Sequence, residues 1–284
     1  MSDSTRRSFL AAGAAAFSVT AVNSAAQEYH LGGADIKLGI ASYSFRKFPR
    51  EKAIEMAKEL GTPYINIKDF HLKLDSSPEE IDAAKKEFAD AGLKLVGCGN
   101  VSFSKDDDAD IRAKFEYAKR AGFPLIVCAP TAVTLPKLEK YVKEYNIKIA
   151  VHNHGPEDKH FPTPQSVLKA VKNMDPRCGL CMDIGHTSRT GVDIVESIAE
   201  AGPRLLDMHS KDLGDPMGKN SQVAVGDGKL PITRIFLQLI KIKYNGCVNL
   251  EYEIQENDPL PGMIKSFAYM RGVLAGIQSA KYSA

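Results

Sequence analysis

From Ile36 onward, short apolar runs alternate with amphipathic stretches at a repeat of about 30 residues, the length of one strand–helix unit. The runs are Ile36–Ala41, Tyr64–Ile67, Lys94–Gly97, Leu125–Cys128, Ile147–Val151, Gly179–Met182, Leu205–Met208 and Cys247–Leu250. Brief runs of this kind fit strands covered on both faces, as parallel sheets require. The stretches between them carry helical periodicity: Ile54, Ala57 and Leu60 share one face, as do Ile111, Phe115 and Ala118. Ser77-Pro78-Glu79-Glu80 and Thr163-Pro164 supply helix starts, because the first turn has spare N–H groups and tolerates proline. Gly61, Gly92 and Gly122 each sit between a helix and the next strand, where a left-handed C-cap is needed.

Eight such repeats without a hairpin signal predict an α/β chain folded as a single (β/α)8 TIM barrel. An open doubly wound sheet would place a glycine-rich phosphate loop after its first strand. Ser42-Tyr43-Ser44-Phe45-Arg46 stands there instead, which argues against nucleotide binding. The one irregular insertion, Leu213–Asp227, is rich in Gly and Pro and is a candidate lid or substrate loop.

The first 26 residues read differently. Ser4-Thr5-Arg6-Arg7-Ser8-Phe9-Leu10 leads into an Ala/Gly-rich apolar stretch, Ala11 to Val22, that ends near Ser24-Ala25-Ala26. This is the pattern of a twin-arginine signal peptide with a small-residue cleavage site, and the stretch is shorter than the roughly 18–20 residues of a spanning helix. The expected organisation is a signal at 1–26 and a barrel domain at 27–284, with a periplasmic destination and no stable membrane insertion after cleavage. The remaining 258 residues suit one barrel. Without Arg6, Arg7 and Asp3 the net charge falls from +2 to about +1, so nothing in the global balance points to nucleic acid. The five cysteines, Cys98, Cys128, Cys178, Cys181 and Cys247, lie mostly in or beside apolar runs and read as buried small hydrophobes; a Cys98–Cys128 bridge is open as an alternative.

Chemistry concentrates in the second half. His152 and His154 follow the fifth run, Asp183 and His186 the sixth, His209 and Lys211 the seventh, and Glu251 the eighth. Imidazole and carboxylate groups just past successive barrel strands meet at the C-terminal mouth, where they can hold a divalent metal. His152, Asp183, His209 and Glu251 follow one another at spacings of 31, 26 and 42 residues, the last lengthened by the Leu213–Asp227 insertion. Lys68 after the second run and Asn100 after the third face the same mouth as candidate substrate contacts, with Asp69 and His71 as weaker ones.

At this point the chain resembles the xylose-isomerase-like barrel superfamily, in particular its sugar-phosphate isomerase/epimerase branch. The resemblance rests on Met182-Asp183-Ile184-Gly185-His186, Asp207-Met208-His209-Ser210-Lys211-Asp212, Val225-Gly226-Asp227-Gly228 and Asn249-Leu250-Glu251-Tyr252-Glu253. It implies a single divalent metal held by Glu, Asp, His and Glu, with the two glutamates also moving protons. Asp183, His209 and Glu251 match three of these ligands, whereas His152 stands where relatives carry the first glutamate. Two neutral imidazoles with two carboxylates leave an M2+ centre formally near zero, which favours an enolate and shifts preference from manganese toward zinc or cobalt. His152 could alternatively serve as base.

The implied chemistry is metal-assisted abstraction of a proton next to a sugar carbonyl, giving an enediolate and then isomerisation or epimerisation. Glu251, His152 and Lys211 are the candidate catalytic residues, and His154, His186, Lys68 and Asn100 the candidate substrate contacts. Loss of one glutamate of a two-base arrangement leaves β-elimination from a 3-keto sugar or keto-glycoside as the competing reaction. A non-catalytic periplasmic sugar-binding barrel is the third possibility. A nucleic-acid enzyme on the same barrel, as in endonuclease IV, would need more metal ligands and a basic groove. The expected partner is a small carbohydrate, and the oligomeric state stays open.

Overall fold

The computed structural model describes residues 29–282. The expected signal peptide and its cleavage site lie outside the described residues. Eight parallel strands close into a barrel: β1 Ala34–Ala41, β2 Tyr64–Ile67, β3 Lys94–Phe103, β4 Leu125–Pro130, β5 Lys148–His152, β6 Cys178–Asp183, β7 Leu205–Ser210 and β8 Cys247–Leu250. Each pairs with its sequence neighbour, and β8 pairs with β1 through Val248 opposite Leu38 and Leu250 opposite Ile40, so the barrel has no open edge. All eight apolar runs became strands, and the predicted single (β/α)8 barrel is the observed fold.

A ninth strand, Tyr29–Leu31, precedes the barrel and returns antiparallel onto β1 through Gly32 and Gly33. Both glycines have positive φ, as a two-residue hairpin turn demands. Tyr29 opposes Ile36 and Leu31 opposes Ala34, which puts this strand at the end of the barrel away from the mouth. Gly61, Gly92 and Gly122 take φ of 64°, 74° and 77°, the left-handed conformation expected after helices α1 Arg50–Glu59, α2 Pro78–Asp90 and α3 Asp108–Ala121. Ser77 and Glu80 form a reciprocal capping box at α2.

The strands alternate between two environments. In β6, Leu180 and Met182 belong to the large apolar core, while Cys181 belongs with Leu125, Val127 and Ala150 to a small separate cluster. With a side-chain period of two, Asp183 shares the face of Cys181, and His152 that of Ala150. The same parity pairs Asp207 with His209 and Asn249 with Glu251. The mouth therefore rests on a lower layer in which Asn249 Nδ2 donates to Asp207 Oδ1 at 2.8 Å and Cys181 Sγ lies 3.7 Å from Asp207 Oδ2. Gly39 makes room for this layer, because a Cβ there would lie 2.2 Å from Asn249 Oδ1.

Cys98 and Cys128, on neighbouring strands, are buried free thiols, as are the other three cysteines, so the structure contains no Cys98–Cys128 bridge. Burial pushes the Cys178 thiol up to about 12, far from a reactive thiolate. Among the described residues no helix is long and apolar enough to cross a membrane.

The Leu213–Asp227 segment is more ordered than a free lid. Asp212–Leu213 and Gln222–Val223 pair as a short antiparallel ribbon. The Asp212 carboxylate accepts N–H groups from Leu213 and Leu230 on one oxygen and from Gly226 and Gly228 on the other, at 2.9–3.1 Å. A Cβ at Gly228 would lie 2.1 Å from Asp212 Oδ1. The Gly226-Asp227-Gly228 sequence thus wraps a buried carboxylate, and Asp227 points out to pair with Lys265 at 2.7 Å.

Candidate metal centre

His152 ends β5, Asp183 ends β6, His209 lies one residue from the end of β7, and Glu251 follows β8. Register places Asp183 opposite His209, and His209 opposite Asn249, two residues before Glu251. One donor atom from each of the four falls within 4.8 Å of all the others. His152 Nε2 is 3.1 Å from His209 Nδ1 and 3.6 Å from Asp183 Oδ2; His209 Nδ1 is 3.1 Å from Glu251 Oε2 and 4.0 Å from Asp183 Oδ2. Ligands on a metal at about 2.1 Å in tetrahedral array are separated by roughly 3.4 Å, so these donors suit one divalent ion.

The donor atoms also show what occupies the position of positive charge. A proton on His209 Nδ1 faces both Glu251 and His152, and metal binding would have to displace it. Burial opposes protonation of His209, but Glu251, by charge and hydrogen bond, together with Asp207 and Asp183, overcomes this and raises its pKa to about 9. His152 goes the other way: burial, reinforced by the charge of His209, lowers its pKa and keeps the imidazole neutral. Two adjacent histidines thus differ because one faces Glu251 directly. Burial also lowers His186 to about 3, aided by Lys211 and the histidines around it.

Lys211 lies inside the cluster. Its Nζ is 3.0 Å from both Asp183 Oδ2 and Glu251 Oε2 and pairs closely with Glu253. Burial alone would raise the two carboxyls of the cluster, yet Lys211 and the histidines hold Asp183 and Glu251 well below the usual range. Glu253 stays above its ordinary value because burial and the charge of Glu251 outweigh the help from Lys211. Beneath them, burial lifts Asp207 to about 7.

The remaining sequence candidates divide. His186 is on the short helix Ile184–Arg189, which Asp183 caps by accepting the His186 N–H at 2.8 Å. Its ring lies 4.6 Å from that of His154 and 5.8 Å from that of His152, so all three imidazoles border the site. Lys68 and Asn100 meet each other, Lys68 Nζ donating to Asn100 O at 2.8 Å. They line a different cavity, with Cys98, Ser102 and Tyr117, that shares no residue with the cavity beside the cluster. His71 is committed to Ser42 Oγ at 2.9 Å.

Three residues at the site escaped the sequence reading. Glu253 stands in the Asn249–Glu253 motif without a role assigned to it, and it meets Lys211 as Glu251 does. Arg189 lies three positions beyond His186 on one helix and reaches its Nδ1 at 3.2 Å. Arg46 comes from the loop after β1, and nothing in its local sequence marks it; it arrives by donating to Glu253 O at 2.8 Å.

The fold has known counterparts. The IolI protein solved with a bound zinc atom superposes with a TM-score of 0.70 at 19% identity, covering 84% of this chain and 98% of its own. A D-psicose 3-epimerase solved in the presence of D-fructose gives 0.66 at 18% identity, covering 83% and 98%. The probable 3-DHS dehydratase AsbF from Bacillus anthracis gives 0.67 at 13% identity, again covering 83% and 98%. These likenesses are ones of fold. No curated protein matches the sequence. The model of the xylose isomerase-like TIM barrel family matches residues 54–273, from α1 into the last helix, and the chain belongs to that family.

Proposed function

We propose that this protein is a divalent-metal-dependent sugar isomerase or epimerase that removes a proton next to a carbonyl and passes through an enediolate. The observation that carries the reading is the convergence of His152, Asp183, His209 and Glu251 donor atoms within 4.8 Å at the barrel mouth. The bound ion, zinc, manganese or cobalt, would supply Lewis-acid polarisation of the substrate carbonyl. Glu251, kept ionised by His209 and Lys211, is the group to take the α-proton and return it. Lys211 offers an ammonium to the oxygen on which negative charge grows. His186, kept neutral by burial, and His154 beside it at the rim suit sugar hydroxyls.

Glu253 favours a second reading. It lines the cavity next to Lys211 with its pKa raised by burial, which suits a proton donor to a departing group. With Glu251 as base, that pair would eliminate a β-substituent from a 3-keto sugar or keto-glycoside.

Both readings are tested by incubating the metal-loaded protein in D2O with ketoses and 3-keto glycosides and following α-carbon deuterium by NMR. Deuterium in a rearranged sugar with all substituents intact supports isomerase or epimerase chemistry. An unsaturated keto sugar with a released aglycone or water supports elimination. Metal binding and sugar affinity without exchange would leave a binding barrel, and exchange that survives EDTA unchanged would overturn the metal's role. Periplasmic export belongs to the same proposal and rests on residues 1–26; a reporter fused to that segment should lose export when Arg6 and Arg7 are both changed to Lys.

A further inference from the structure

A cavity of about 310 Å³ opens beside the cluster, and Arg46, His186, Arg189, Lys211, Lys219 and Glu253 are among its walls. Four of these six are permanent cations and one is a carboxylate. Lys211 and Glu253 pair with each other, which leaves Arg46, Arg189 and Lys219 to set the charge that a ligand meets. Their counter-ions stand elsewhere. Glu256 holds Arg46 at 2.9 Å, and Glu157 holds Arg189 closely and Lys219 at 3.5 Å, yet neither glutamate lines the cavity.

The two arginines are fixed before any ligand arrives. Arg46 donates to Glu253 O at 2.8 Å and stacks 4.9 Å above the Tyr43 ring. The Arg189 side chain is only 8% exposed, and its Nε is buried with no hydrogen-bond partner among the described residues. A buried guanidinium N–H left unpaired carries a full desolvation penalty. Neutral sugar hydroxyls would compensate these cations poorly; an oxyanion matches the guanidinium forks.

We propose that this cavity selects a monosaccharide bearing one acidic group, carboxylate or phosphate, which Arg46, Arg189 and Lys219 bind while the reacting end faces His186, Lys211 and the metal cluster. This assignment of substrate class rests on the function proposed above. The volume is at the low end for small-molecule sites and holds one sugar unit.

The test is calorimetric titration of the manganese-loaded and the metal-free protein with D-glucuronate, D-glucose 6-phosphate and D-glucose at low salt. One of the two acidic sugars should bind at least about tenfold more tightly than glucose in both forms, the margin expected of a charge-assisted pair. Which of the two does so identifies carboxylate or phosphate. The preference should fall below about threefold in a R46Q/K219Q variant and shrink in K219Q alone, a change at an exposed residue that leaves folding intact. Equal affinity for all three sugars, or a preference that survives R46Q/K219Q, would overturn the subsite. If neutral sugars exchange deuterium and acidic ones bind no better, the subsite fails and the enediolate reading stands. If acidic sugars bind selectively and no sugar exchanges, the enediolate reading fails and the subsite stands.

Discussion

The two halves of the barrel mouth use polar residues in opposite ways. After β1 to β4 they are spent on backbone: Ser42 Oγ accepts the Lys68 N–H at 2.7 Å and meets His71, Ser44 Oγ bridges Leu250 O and the Tyr252 N–H, and Thr134 Oγ1 donates to Phe103 O at 2.6 Å. After β5 to β8 they are aimed at one another. His152, Asp183, His209, Lys211 and Glu251 are all buried, and among the described residues His152 Nδ1 and His209 Nε2 find no partner. One half closes loops onto the barrel; the other gathers buried charge around a point that a cation would satisfy. The same topological position thus satisfies backbone groups in one half and concentrates buried charge in the other.

The sharpest way to break this contrast is Asp183→Asn, which keeps the cap acceptor of helix Ile184–Arg189 but removes a charge from the cluster. It should lower activity by more than about 10³-fold and release metal, measured by turnover and metal analysis of the purified protein. Full metal occupancy in that variant would show that the cluster is not the centre. Lys211→Met should lower kcat by roughly 10²-fold through loss of the ammonium beside the developing charge. Because Lys211 Nζ already contacts the Asp183 and Glu251 carboxylates that would hold the ion, metal affinity should rise or hold; a fall would make Lys211 a support of the metal site instead.

His209 gives a pH test with a defined sign. Its folded pKa of about 9 lies above the ordinary value of 6.5, so its proton stabilises the metal-free fold below pH 6.5, and that stability is lost as pH rises through 9. The metal needs the neutral ring, so metal affinity should climb about tenfold per pH unit between these limits, with one proton released per ion in calorimetry across buffers. A flat profile would remove His209 from the ligand set.

Smaller effects belong to the other half. Ser42→Ala should cost about 1–2 kcal/mol in denaturant unfolding, since the Lys68 N–H and the His71 ring lose a partner, while metal stoichiometry stays unchanged. Lys68→Met should change activity by less than about threefold, because its ammonium holds Asn100 O away from the cavity beside the cluster. A large loss of turnover there would extend the functional surface across the mouth.

Local pattern was enough for the barrel. An apolar run buried on both faces has few alternatives to a parallel strand, and Gly61, Gly92 and Gly122 end their helices for a steric reason that neighbours cannot change. The candidate cluster was legible for a related reason: His152, Asp183, His209 and Glu251 each lie at or just past the end of a strand, and barrel topology brings strand ends together. What packing decided is everything that depends on distance across the ring. Lys211 inserts between Asp183 and Glu251, Arg46 crosses from the first loop to Glu253, and Asp212 gathers four N–H groups from a segment that looked irregular. The strongly different protonation of His152 and His209 also appears only in the folded chain. Periodicity is a property of neighbours in sequence and can be read along the chain, whereas electrostatic fields and hydrogen-bond geometry arise between groups that only the closed barrel brings within a few ångströms.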